Sequence, residues 1–182
     1  MEKTLRKTAV KITEETLFIL LTVASAVILP QLLHTVGAEI GVGGQLGQML
    51  LPMYLPVMIL GFYRGARSGA ITGALAALVS FAITAMPARA ILPYIALELF
   101  ATGLFAGIFA KVKLPAILRV LSVQVLAKAV RLAALSAVLL ITSGNVLASA
   151  LTAGIVTSVP GLVLQLIVVS PLIAKRDKTD SL

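Results

Sequence analysis

Three charged side chains stand inside otherwise apolar runs: Glu98, Lys128 and Arg131. An ionised group at membrane depth is costly, so each calls for a partner or a purpose. Gln124, Lys128, Arg131 and Leu135 recur at i, i+4, i+7 and i+11, a spacing that places them on one face of a helix. Glu98 lies midway along the preceding apolar segment. Two readings stay open. In one, Lys128, Arg131 and Gln124 form a pocket that meets a polar or anionic ligand. In the other, Glu98 makes a structural ion pair with one of the two bases, or the bases snorkel to an interface. One acid against two bases leaves a surplus positive charge, which tilts the balance toward ligand contact.

Other chemistry-bearing residues are few. His34 is the only histidine and there is no cysteine, so a metal site lacks partners and disulfides and thiol catalysis are excluded. Met49, Met53, Met58 and Met86 read as gap-fillers, with Met53 and Met86 placed where they can also line a pocket. Tyr54 and Tyr94 can supply one side of a stacking site, but no tryptophan exists to complete it. Hydrolytic chemistry has no inventory: Ser68 and His34 fall on opposite sides, and HExxH, aspartate clusters and any Gly-Lys dipeptide of a P-loop are missing. The chain is therefore not expected to be an enzyme, to hold a cofactor or to hydrolyse ATP.

The elements that position these residues are membrane helices. Only 12% of the 182 residues are charged, against about 25% in a soluble domain. The whole chain reads as one all-α integral-membrane domain, 1–182, with a mixed-charge amphipathic lead-in at Lys3–Glu15 rather than a cleavable signal. Six spans are expected at about 16–34, 48–63, 68–84, 90–110, 115–141 and 146–174, the second of them short. With both termini cytoplasmic, twelve of the fifteen Lys and Arg residues fall inside, Arg89 falls outside, and Lys128 and Arg131 lie within the fifth span. The net charge of +8 thus has a topological origin; no basic stripe runs beside stacking aromatics as nucleic acid would require. Outer loops are expected at 35–46, 85–89 and 143–145. A ladder of Gly61, Gly65, Gly69 and Gly73 passes through the basic corner Tyr63-Arg64-Gly65-Ala66-Arg67 and predicts close packing of the second and third spans, with Arg64 and Arg67 facing the cytoplasm.

Taken in order, Leu29–His34 (LPQLLH), Leu51–Val57 (LPMYLPV), the glycine ladder, Met86-Pro87, Glu98-Leu99 and Val159–Leu166 (VPGLVLQL) with a basic tail resemble the S-component of energy-coupling factor (ECF) vitamin transporters over essentially the whole chain. The chain differs from that pattern at Tyr54, where a histidine is expected, and at Thr22-x-x-x-Ala26, the nearest match to Ala-x-x-x-Ala. The resemblance implies a six-helix bundle in a bacterial plasma membrane that captures a vitamin from outside. It also implies a transmembrane coupling subunit and two cytoplasmic ATPases as partners, met through Thr22, Ala26, Arg64 and Arg67. Its binding residues would be Met53, Tyr54, Met86, Tyr94, Glu98, Gln124, Lys128 and Arg131, together with the loop 41–45. The abundance of alanine and glycine suits a bulky ligand such as cobalamin, with pantothenate, folate or a pyrimidine precursor also open. The alternatives are a stand-alone carrier or channel working through Glu98, and a structural subunit of a larger membrane complex.

Overall fold

The computed structural model describes residues 2–41, 49–142 and 158–180. The expected loop residues 42–45, the connection at 143–145 and the first part of the expected sixth span lie outside them. Six helices are described: α1 Glu2–Glu39, α2 Tyr54–Arg64, α3 Ala66–Thr84, α4 Leu92–Phe109, α5 Ala116–Thr142 and α6 Val159–Asp180. Five carry stretches long and apolar enough to cross a membrane, and each presents large apolar side chains outward. Leu20, Ile83, Val125 and Ile167 are all more than half exposed, a surface suited to lipid rather than water. Among the described residues the fold is all-helical, and the chain is a multi-pass membrane protein.

Over its described residues, 49–63, the second expected span is not one continuous helix. At about 1.5 Å per residue, the 11 residues of α2 cover roughly half of a ~30 Å hydrocarbon core. The cause is local. Leu51 stands at φ 47°, a left-handed conformation that branched side chains rarely take, and Pro52 follows. Helix α2 therefore starts only at Tyr54, with Pro56 accommodated in its first turn, where no intrahelical N–H bond is lost. Gly65, at φ 95°, ends α2 and turns the chain directly into α3. By contrast α1 is longer than expected, because the lead-in and the apolar span form one helix that runs through Pro30.

Helix α4 is the hub, packed on α2, α3 and α5, and its contact with α3 is the most extensive in the bundle. Glycines make that contact possible. A Cβ on Gly73 would run into the backbone carbonyl of Leu99, one on Gly69 into that of Gly103, and one on Gly107 into the backbone of Ala66. A Cβ on Gly61 would sit 2.6 Å from the Gly103 oxygen. The ladder therefore faces α4 rather than only joining the second and third segments, although Gly61 and Gly69 do also meet each other. Gly65 is not part of the seam: it has open space around it and serves the turn.

Two apolar clusters fill the rest. Ala26, Val57, Ala76, Ala77 and Leu99 gather with Tyr54 among α1–α4. Met58, Phe62, Ala106, Val120, Val123, Val169 and Ile173 gather among α2, α4, α5 and α6. Because backbone atoms cannot swing aside, Gly103→Val is expected to cost about 1–3 kcal/mol or more by overpacking. Ala82→Leu, on the exposed face of α3, should leave stability unchanged. Thermal unfolding of both variants in detergent measures the difference.

Candidate functional site

On α5 the one-face spacing brings two bases to a single acid on α4. Lys128 Nζ lies 2.6 Å from Glu98 Oε1, and Arg131 Nη1 donates to Glu98 Oε2 at 2.9 Å. Glu98 is 1% exposed, and the side chains of Lys128 and Arg131 are 14% and 15% exposed. The pairing question left open by the sequence resolves to both bases at once. The cluster keeps a formal charge of +1 when the three groups are ionised.

Tyr54, in the first turn of α2, places its ring 5.6 Å from the Lys128 ammonium, within cation–π range. Thr102, one turn below Glu98 on α4, bonds back to the Glu98 carbonyl at 2.8 Å. Gln124, one turn before Lys128, donates to the Leu162 carbonyl at 3.0 Å and to Gln165 Oε1 at 3.1 Å. These residues line a cavity of about 10 Å³, roughly the space of one water, together with Leu51 and Leu162.

The structure thus brings together Tyr54, Glu98, Gln124, Lys128 and Arg131, and adds Thr102 and Gln165, which the sequence reading missed. Met58 is a gap-filler that also borders the cavity. Met53, Met86 and Tyr94 are not among the cavity-lining residues. Met53 caps α2 and packs beside the Tyr54 cluster, Met86 is 44% exposed in the α3–α4 connection, and Tyr94 is half-buried in the first turn of α4.

The basic end is built separately. Arg64 stacks on Phe18 at 3.8 Å, and with Thr22 it borders an apolar groove of about 450 Å³ between α1 and α2. Arg67 is exposed at the start of α3. Ala26 is fully buried against the Tyr54 cluster, so it presents no surface to a partner. Arg176 donates to the Phe62 carbonyl, one of the orphan acceptors at the end of α2, while the Tyr63 hydroxyl donates to the Leu172 carbonyl at 3.1 Å. Arg119 is 3% exposed and ion-pairs with Asp177. Helix α6 therefore carries an acid beyond the expected end of the last span. No protein-family model, curated protein or solved structure matches this chain.

Removing one member of a buried charge cluster leaves the others uncompensated. Glu98→Ala is expected to destabilise the protein by about 3–5 kcal/mol. The triple variant Glu98→Ala/Lys128→Met/Arg131→Met should regain most of that loss, because no buried charge then lacks a partner. Thermal unfolding in detergent gives both values.

Proposed function

We propose that this chain is the substrate-binding subunit of an ECF-type importer, which captures a vitamin or related micronutrient at the membrane and passes it to an ATPase-driven coupling module. The observation that carries this reading is the buried cluster of Tyr54, Glu98, Gln124, Lys128 and Arg131, with its uncompensated positive charge beside a cavity. An ionisable residue inside a membrane span is by default a candidate for a functional site. The chain has no nucleotide-binding motif, so energy must come from partners.

The exposed Arg64 and Arg67 and the groove beside Thr22 are the surface proposed for the coupling subunit, with both termini cytoplasmic in a bacterial plasma membrane. A stand-alone carrier working through Glu98 is less well supported, since each oxygen of that carboxylate is already engaged by a cation.

Protein purified gently, without ATP, is expected to release one vitamin-class compound on extraction, identified by mass spectrometry. A panel including cobalamin, pantothenate and folate should contain one member that raises its unfolding temperature. Proteoliposomes containing this chain alone should show no uptake under a proton gradient. A ligand-free protein that no vitamin stabilises, or gradient-driven uptake abolished by Glu98→Gln, would overturn the proposal.

A further inference from the structure

The hydrogen-bond order around the cavity fixes which way its amides point. The Leu162 carbonyl can only accept, so Gln124 must present its NH₂ there. The same NH₂ donates to Gln165, which makes the contacting Gln165 atom its oxygen. Gln165 Nε2 is thereby turned away from Gln124. It has no hydrogen-bond partner among the described residues, although Gln165 is only 1% exposed. Lys128 Nζ differs: it is paired with Glu98 Oε1 at 2.6 Å, a contact that occupies only one of its three donors. Both residues border the cavity, one from α5 and one from α6.

One unmatched amide donor and the spare donors of an ammonium beside a space the size of one oxygen describe a socket for a hydrogen-bond acceptor. A buried donor left unmatched is costly, so this arrangement favours a ligand that brings an acceptor with it. Charge narrows the class. Lys128 and Arg131 against Glu98 leave +1, which one carboxylate neutralises, whereas a phosphate monoester at about −1.5 to −2 would overshoot.

We infer that the cavity is a carboxylate subsite: the captured micronutrient is a monocarboxylic acid, one oxygen of which lies between Lys128 Nζ and Gln165 Nε2. The inference rests on the capture reading for its biological meaning.

The test pairs acids with their neutral counterparts, pantothenate with pantothenol, nicotinate with nicotinamide and biotin with biotinamide, and adds formate against chloride at equal ionic strength. Binding is read by thermal shift and calorimetry on the full chain. At least one acid should bind about tenfold or more tightly than its partner, the size expected of a charge-assisted hydrogen bond. Gln165→Leu and Lys128→Met should each remove that preference, and Gln165→Leu changes no charge. Equal binding of acid and neutral forms, a preference that survives both substitutions, or no response to any acid including formate overturns the subsite. A neutral vitamin co-purifying with the protein would leave the capture reading standing while the subsite falls. Formate binding that depends on Gln165 and Lys128, with no vitamin bound, would do the reverse.

Discussion

Glu98 is a carboxylate in the interior of a bundle made for lipid, and the arrangement around it depends on that fact. An isolated carboxylate there would be prohibitively costly, so cations must meet it in good geometry. Lys128 and Arg131 do so from one face of α5, which fixes both the rotation and the height of α5 against α4. Helix α4 is held in turn by glycines that let its backbone touch α3 directly. The charge cluster and the glycine seam lie on two sides of the same helix, so neither can shift without disturbing the other.

The short α2 follows from the same economy of space. Leu51 and Pro52 keep the chain non-helical until Tyr54, and the helix that follows is wedged among α1, α3, α4 and α6. Its first turn delivers Tyr54 to Lys128. Its last turn is tied to α6 by Arg176 and Tyr63. One element of 11 residues thus touches both the buried cluster and the basic end.

Much of this was legible in the residues. The spacing of Gln124, Lys128 and Arg131 announced one polar face, and a lone acid in the neighbouring segment was one of two partners left open for it, the other being a ligand. Gln165 and Thr102 were not legible: they sit in apolar runs and gain meaning only when packing places them at the cavity. Asp177 escaped because hydropathy ends the last segment at Ala174, whereas the helix continues to Asp180 and pairs with Arg119. The glycine ladder was visible, but its partner was assigned to the neighbouring segment. The matching Gly103 and Gly107, four apart on α4, were the overlooked signal. The expected pocket residues Met53, Met86 and Tyr94 fall outside the cavity lining, because position along the chain does not determine which face turns inward.

The central claim is that the buried charges serve a ligand as well as the fold. Native mass spectrometry of gently purified protein addresses it most directly, comparing the wild type with the Glu98→Ala/Lys128→Met/Arg131→Met variant, whose charges are removed together. The account predicts one small molecule per wild-type chain and none on a folded triple variant. A triple variant that keeps the same molecule, or a wild type that carries none and accepts none, would contradict it.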